Sequence, residues 1–237
     1  MLSMAGMSRT LRALAALSVF AIVLTGCSKK NKDANPSELP AGTQLMAEGA
    51  KAMSEVKTVH FAINVSGKIN GLSIQQAEGD LTKEGNARGT AKIDQLGFVV
   101  ETNFVIVGKD LYVKGPTGGY QKLPSSMAAT VYDPSAILDP NRGAPKLLTT
   151  AKNPKTLGKE QLDGKEVYKV SLEPDAAALQ ALITTSVSNV TGVVWLDAQT
   201  KRIAKAEFKV PPTGGNPEAT VTVTFTKYDE PVSISAP

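Results

Sequence analysis

The sequence predicts an α+β protein built on one large antiparallel sheet, and two observations carry this prediction. Short strand-like runs follow one another through tight turns, which is typical of antiparallel meanders. Helical segments are grouped between blocks of strands and do not alternate with single strands, so no βαβ order arises. We therefore expect the helices to lie together on one face of the sheet.

Period-two alternation identifies the strands, and it is clearest in the first one. Val59, Phe61, Ile63 and Val65 alternate with small or polar residues, which predicts one apolar and one polar face. Turn signals rich in glycine and asparagine separate the later runs. The further predicted strands are Ser73–Thr82, Ala87–Gln95, Phe98–Val107, Asp110–Lys114, Tyr120–Lys122, Lys155–Gln161, Lys165–Leu172, Gly192–Asp197, Arg202–Val210 and Glu218–Tyr228.

Four segments have the pattern of helices. Thr43–Val56 carries an apolar stripe, and its first residue, Thr43, is expected to cap it. Tyr132–Pro140 places an aspartate before a proline, the usual order at a helix start. Ala144–Lys152 and Pro174–Thr185 complete the set, the latter with leucine and alanine residues along one side.

The N-terminus has the pattern of an export signal. Two arginines and no acidic residue occur in the first twelve positions, and the apolar run Leu11–Val23 follows. The run is shorter than the ~20 residues needed to span a bilayer. It ends in Leu24–Cys27, which matches a lipoprotein cleavage site. We expect a signal peptide over residues 1–26.

Cys27 is the only cysteine of the chain, so it forms neither an internal disulfide nor a structural zinc site. Its position predicts a diacylglyceryl anchor that holds the protein on the outer face of the membrane. The alternative is an ordinary signal peptide with an incidental cysteine. Polar residues follow, so 27–42 is predicted to be a flexible tether and 43–237 the folded domain.

Charge and motifs exclude several classes of function. The formal net charge is +4, without a basic stripe, so nucleic acid is not an expected partner. His60 is the single histidine, and no nucleophile elbow, phosphate loop or dinucleotide fingerprint is present. Acidic residues such as Asp80, Glu84, Asp94 and Glu101 fall on polar strand faces or in turns. We expect no catalytic residue, no metal site and no cofactor.

The composition gives a weak indication of an internal cavity. The predicted inward residues are mostly of medium size, and aromatic residues make up 5% of the chain, with one tryptophan. A large sheet covered by a few short helices, with little aromatic volume between them, can leave space for a ligand. The competing interpretation is a fully packed core.

The sequence resembles the actinobacterial LppX/LprA/LprF/LprG lipoproteins from the signal to about Val232. The matching segments are Leu24–Cys27, Lys57–Phe61, Gly67–Ile74, Gly79–Thr82, Val131–Pro134 and Ile137–Pro140. The resemblance implies an antiparallel half-barrel with helices on its concave face and a large hydrophobic cavity between them. For LprG-like members it implies binding of triacylated glycolipids or triacylglycerol. It also implies cooperation with a major-facilitator exporter that moves lipids across the envelope.

These inferences give a predicted site and two rival functions. The residues predicted to line the lipid cavity are Phe61, Ile63, Val65, Ala91, Ile93, Phe98, Val100, Phe104, Ile106, Leu138, Leu147, Leu148 and Leu182. The favoured function is a non-catalytic lipid carrier. The alternatives are an envelope interaction or structural lipoprotein with a packed core and, more distantly, an envelope hydrolase.

Overall fold

The computed structural model describes residues 39–95, 97–115, 118–124, 136–182 and 187–237. Residues 34–237 form one compact unit. The predicted signal peptide, residues 27–38 of the tether with Cys27, and residues 132–135 of the helix predicted at Tyr132–Pro140 lie outside the described residues; residues 136–140 form turns. The described part thus falls almost wholly within the domain expected at 43–237.

The described residues form three helices and eleven strands. The helices are α1 (Gly42–Ser54), α2 (Ala144–Thr150) and α3 (Ala176–Leu182). The strands are β1 (Thr58–Ser66), β2 (Ile74–Thr82), β3 (Ala87–Gln95), β4 (Phe98–Val107), β5 (Asp110–Lys114), β6 (Tyr120–Pro124), β7 (Lys152–Leu162), β8 (Lys165–Glu173), β9 (Thr191–Asp197), β10 (Ile203–Val210) and β11 (Ala219–Thr226). Each predicted strand is present, with small changes at its ends.

All strands belong to one antiparallel sheet in the order β6-β5-β4-β3-β2-β1-β11-β10-β9-β8-β7. Two meanders, one of six strands and one of five, are joined by pairing of the first strand with the last. In that pairing Phe61 lies opposite Phe225 and Ile63 lies opposite Val223. The predicted α+β class with one large antiparallel sheet is confirmed.

Two facing glycines let the sheet bend between β2 and β3. Gly79 pairs with Gly89, and a Cβ on Gly79 would lie 2.1 Å from the carbonyl oxygen of Arg88. A Cβ on Gly89 would lie 2.0 Å from the carbonyl oxygen of Glu78. Since no real side chain fits these spaces, the close approach of the two backbones requires glycine. Paired glycines of this kind curve a sheet and give it a concave face.

Helix α1 packs its apolar side inward against α2 and β7. Its buried residues are Gly42, Leu45, Met46, Gly49, Ala50 and Met53. The expected cap at Thr43 is wrong, because the helix already begins at Gly42 and its N-cap residue is Ala41. A Cβ on Gly42 would lie 2.5 Å from the carbonyl oxygen of Pro154, so the helix start is pressed directly against β7.

The strand ends define two rims of the sheet. The register places four features on the same side of the sheet. They are the end of β1 at Ser66, the start of β2 at Ile74, the turn between β3 and β4, and the end of β10 at Val210. We call this side the cavity rim. The opposite rim carries the tight turns that join β2 to β3, β4 to β5 and β7 to β8.

Candidate functional site

An apolar cavity lies between the concave face of the central strands and the short helices. Its floor is formed by β1, β10 and β11, and its cover by α3, the start of α2 and the segment before α2. The lining residues are Ile63, Val65, Leu72, Ile74, Ile137, Ala144, Leu179, Leu182, Val190, Ala206, Phe208, Val210, Val221, Val223 and Phe225. All of them are apolar, so the walls formed by the described residues offer a ligand no hydrogen-bonding side chain.

Two rows of side chains across the central strands make the floor. In the first row Val65 is followed by Val221 and Phe208, and in the second Ile63 is followed by Val223 and Ala206. Directly opposed residues of an antiparallel pair point to the same face, which explains the continuous apolar surface. A Cβ on Gly192 would lie 2.9 Å from the Phe208 ring. The absence of a side chain at Gly192 therefore makes room for that ring.

Helix α3 supplies one part of the cover. Leu179 and Leu182 stand one turn apart on it and both face the cavity. Asp175 Oδ1 accepts hydrogen bonds from the backbone N–H groups of Ala177 (3.0 Å) and Ala178 (3.2 Å) and so caps the helix. The bond from Ala178 is the main reason why the pKa of the Asp175 carboxyl lies below its usual value. The cap fixes where this cover helix begins.

The segment before α2 supplies the other part of the cover. The Ala144 N–H donates to the carbonyl of Ile137 (2.8 Å), and the Gly143 N–H donates to that of Asp139 (2.7 Å). A Cβ on Gly143 would lie 2.3 Å from the carbonyl oxygen of Ala136, so this tight loop requires glycine. The loop presents Ile137 and Ala144 to the cavity.

The cavity volume limits what fits in this conformation. The cavity has a volume of about 90 Å³. An apolar cavity of about 150 Å³ holds one benzene molecule, so this cavity is smaller than one aromatic ring needs. This is less than one long acyl chain. A cargo with several acyl chains requires the floor and the cover to separate further than they do here.

A small cleft of mixed polar and apolar lining adjoins the apolar cavity at the cavity rim. It has a volume of about 20 Å³ and shares Val210 with the cavity. Its other lining residues are Lys68, Ile69, Asn70, Val187, Pro211, Thr213, Pro217 and Ala219. Asn216 Nδ2 donates to Asn70 Oδ1 (2.9 Å), which ties the β1–β2 loop to the β10–β11 loop. Polar groups therefore stand beside one end of an apolar space.

The structure distributes the thirteen predicted cavity residues over three places. Ile63, Val65 and Leu182 line the cavity. Phe61, Ala91, Ile106, Leu138, Leu147 and Leu148 are buried in the adjoining core, with Ile93 and Phe104 packed at its margin. Phe98 is 76% exposed and Val100 is 40% exposed, and both belong to the β3–β4 hairpin. The role of this set in lipid binding stays a prediction.

Sequence reasoning missed the contribution of β10 and β11 to the floor. The alternation that identified β1 occurs again in β10, at Ala206 and Phe208, and in β11, at Val221, Val223 and Phe225. That alternation predicts an apolar face in each strand. It does not tell which strand lies beside β1. The two strands that pair, β1 and β11, stand at opposite ends of the domain in sequence, and local patterns do not show contacts of that kind.

The outer face of the same strands carries polar clusters away from the cavity. His60 Nδ1 lies 2.8 Å from Asp80 Oδ1, and Arg88 donates from Nε (3.3 Å) and Nη2 (3.2 Å) to Asp80 Oδ2. Burial opposes ionisation of Asp80, yet the bonds from His60 and Arg88 outweigh it and hold its pKa below the usual value. No nucleophilic side chain of the described residues accompanies this group in the hydrogen-bond network.

Two further features concern metals and membranes. Within the described ranges, no group of three or more His, Cys, Asp or Glu side chains is arranged to hold a metal ion. None of the helices in that part of the chain is long and apolar enough to cross a bilayer.

An open, curved antiparallel sheet with helices over its apolar face and a cavity between the two layers defines the structural class. The sequence profile of the LppX_LprAFG lipoprotein family matches residues 41–234. The chain therefore belongs to the LppX_LprAFG lipoprotein family, and the resemblance read from the sequence is confirmed.

Relatives with names cover almost the whole chain. The lipoarabinomannan carrier protein LprG of Mycolicibacterium smegmatis is 29% identical over 228 residues, which cover 94% of each chain. LprG of Mycobacterium tuberculosis is 28% identical over 232 residues, covering 97% of this chain and 95% of the relative. A putative diacylated glycolipid transporter, LprF of Mycobacterium bovis, is 27% identical over 238 residues, covering 94% and 90%. These names describe carriers or transporters.

Two solved structures share the fold. LprF from Mycobacterium bovis superposes with a TM-score of 0.70 at 23% identity, covering 83% of this chain and 96% of that one. LppX from Mycobacterium tuberculosis gives a TM-score of 0.62 at 20% identity, covering 85% and 100%. Both similarities establish the open sheet and its helical layer for this chain.

Proposed function

We propose that this protein is a non-catalytic lipid carrier of the cell envelope, and the apolar cavity is the observation that carries the proposal. A cavity with fifteen apolar lining residues suits the hydrocarbon part of a lipid. Each buried methylene contributes about 0.8 kcal/mol to binding before ordering costs are subtracted. The cargo is an acylated glycolipid or triacylglycerol whose headgroup stays outside the cavity.

The named relatives support this class of cargo. LprG is named as a carrier of lipoarabinomannan and LprF as a putative transporter of diacylated glycolipids. The small cleft beside the cavity supports an amphipathic cargo, since its lining includes the polar side chains of Lys68, Asn70 and Thr213. Uptake of long acyl chains requires opening of the cover. Helix α3, a seven-residue helix that faces the cavity through Leu179 and Leu182, is the part of the cover that we propose moves.

The predicted anchor gives the carrier its location. Acylated Cys27 holds the domain at the outer face of the cell membrane, near donor lipid and near a major-facilitator exporter with which it works. Cys27→Ser is expected to release the protein from washed membranes into the soluble fraction without lowering its unfolding temperature. Membrane retention of this variant contradicts acylation as the anchor.

Native mass spectrometry with lipid extraction tests the proposal directly. The compact unit, residues 34–237, is expressed in an actinobacterial host with no leader or anchor. The wild type is expected to carry about one acylated lipid per protein. Ala206→Phe points a phenyl ring into the cavity, which has about 90 Å³ of free volume, so we expect a folded variant that has lost the lipid.

A matched substitution in the packed core serves as the control. Ala87 is fully buried and is not a cavity residue, so Ala87→Phe has no space to enter and is expected to destabilise the fold by about 1–3 kcal/mol. Equal destabilisation by Ala206→Phe and Ala87→Phe, with no lipid on the wild type and no uptake of added glycolipid, contradicts the carrier. That outcome supports the interaction lipoprotein with a packed core.

A further inference from the structure

The β3–β4 hairpin ends in an exposed apolar tip. Phe98 is 76%, Val99 55% and Val100 40% exposed, and they are consecutive in the chain. Consecutive exposed apolar residues are rare on soluble domains unless they contact something. We call Phe98–Val100 the hairpin tip.

The hairpin tip is held in a defined conformation. Gly97 has φ of 87°, a value that suits glycine, and its N–H donates to Asp94 Oδ1 (2.8 Å). The Asp94 N–H donates to the carbonyl of Ser73 (2.7 Å), which fastens the hairpin to the start of β2. The exposure of the tip is therefore a feature of the fold.

The hairpin tip stands at the cavity rim and extends past the last paired residues of both neighbouring strands. Ile93 pairs with Ile74, the first residue of β2, so the turn and Phe98 lie about two residues further out. At ~3.3 Å per residue, the tip reaches roughly 7 Å beyond β2. On its other side, β5 pairs with β4 only from Phe104 onward. The tip thus lies at the rim at which the cavity and the small cleft end, beyond the paired part of β2 and β5.

The two faces of the tip select the kind of surface that it fits. Phe98 and Val100 point to one face of the strand and Val99 to the other, because alternate residues do so. A flat protein surface covers one face of a hairpin, whereas lipid surrounds a projecting hairpin on both. The unpaired backbone groups of the β4 edge oppose deep burial in hydrocarbon. Shallow entry at the headgroup level lets water and headgroups satisfy them, and entry of ~5–10 Å is usual for interfacial elements.

Nearby cations favour a membrane surface. Lys68 in the β1–β2 loop and Lys114 at the end of β5 are exposed at the same rim. Among the described residues, no carboxylate lies within 4 Å of either ammonium group in the ion-pair network. Such lysines are attracted by anionic headgroups. The chain between Cys27 and the first described residues reaches up to roughly 40 Å when extended, so the predicted anchor permits contact of this rim with the same membrane.

From these observations we infer that the hairpin tip inserts into the headgroup region of a lipid bilayer and sets the cavity rim against the membrane surface. The inference builds on the proposed carrier function and adds the surface at which lipid enters and leaves. Lipid then passes between bilayer and cavity without crossing water.

Vesicle binding by the 34–237 unit tests the inference. The probe is a mixed phosphatidylglycerol–phosphatidylcholine vesicle. Phe98→Ser and Val99→Ser are each expected to weaken binding, the former about tenfold, since a buried phenylalanine side chain contributes at least that factor. Leu157→Ser is the matched control, because Leu157 is 54% exposed but lies on the distant strand β7. It is expected to bind like the wild type.

Fluorescence locates the contact. Phe98→Trp is expected to show a blue-shifted emission and quenching by brominated lipid, after subtraction of the wild-type signal from Trp195. Leu157→Trp is expected to show neither. Unchanged emission of Phe98→Trp on vesicles, or equal changes in both variants, overturns the inference. So does wild-type vesicle affinity in Phe98→Ser and Val99→Ser.

Two more readouts separate this inference from the carrier function. Val99→Ser is expected to take up a dispersed fluorescent acyl lipid as the wild type does, while its uptake from vesicles is slower. If the wild type binds vesicles through the tip but takes up no dispersed lipid, the carrier function fails and the membrane contact stands. A concentration-dependent dimer that both serine variants abolish overturns the inference in favour of strand pairing between two copies.

Discussion

The two faces of the central sheet are made by the same strands, yet they have different physical tasks. On the concave side Phe61 is fully buried, and the rows around Val223 form an apolar floor. On the outer side, Lys205 Nζ lies 4.5 Å and Lys169 Nζ 5.1 Å from the centre of the Trp195 ring. Alternation of side chains lets one backbone ladder support both faces. Hydrophobic burial stabilises the first face, while cation–π contacts at the solvent boundary of the second contribute about 0.5–1 kcal/mol each.

The largest difference between the faces is expected from truncation in β1. Phe61→Ala removes the ring of a fully buried side chain and is expected to lower the free energy of unfolding by about 3–5 kcal/mol. Asn64→Ala, on the outer face of the same strand, is expected to change it by at most about 0.5 kcal/mol. Urea unfolding of both variants measures the two values. Similar losses in the two variants contradict the assignment of the core to the concave face.

A smaller difference is expected between two glycines of the concave side. Gly79→Ala places a methyl group 2.1 Å from a backbone carbonyl oxygen, which cannot move without the rest of the strand. We expect it to lower the free energy of unfolding by about 1–3 kcal/mol. Gly192→Ala meets the Phe208 ring at 2.9 Å, and a side chain can shift into the cavity. We expect Gly192→Ala to lower the unfolding temperature less than Gly79→Ala. A larger drop in unfolding temperature for Gly192→Ala than for Gly79→Ala shows that the β2–β3 bend does not depend on the glycine pair.

The smallest effect is expected on the outer face and depends on pH. The pKa of Asp80 is lowered in the folded state, so its ionised form stabilises the fold above the unfolded-state value of about 3.9. This contribution is lost as the pH falls through the lower folded-state pKa. Asp80→Asn is expected to be less stable than the wild type by about 1 kcal/mol or less at neutral pH. The difference is expected to shrink as the pH falls below about 3.9 and to vanish below the folded-state pKa of Asp80.

Glu101→Gln provides the control for this pH dependence. Glu101 is on an exposed part of β4, and its Oε2 lies 3.8 Å from Lys92 Nζ. Its substitution is expected to leave the stability-against-pH curve close to that of the wild type. A gap between wild type and Asp80→Asn that persists at acid pH shows that the asparagine disturbs packing and not charge.

Local patterns were sufficient for most of the secondary structure and for the family. The bounds predicted for Ala87–Gln95 and Phe98–Val107 agree with the structure because strand alternation and glycine turns are local signals. The Thr43 cap failed because packing of Gly42 against β7 decided where α1 starts. The helix predicted at Pro174–Thr185 is described as α3 over Ala176–Leu182, and its remaining residues 183–185 lie outside the described ranges.

The sequence by itself determined that each strand has one apolar and one polar face, because apolar and polar residues alternate along the strands. Only the tertiary structure decided where the cavity lies. The pairing of β1 with β11 brings Val65 beside Val221 and moves the floor toward the second meander. In the tertiary structure Phe98 is also exposed to solvent, although its apolar character had led to the prediction that it lines the cavity. Hydrophobicity shows which side chains avoid water, but which surface covers them depends on contacts between residues far apart in the chain.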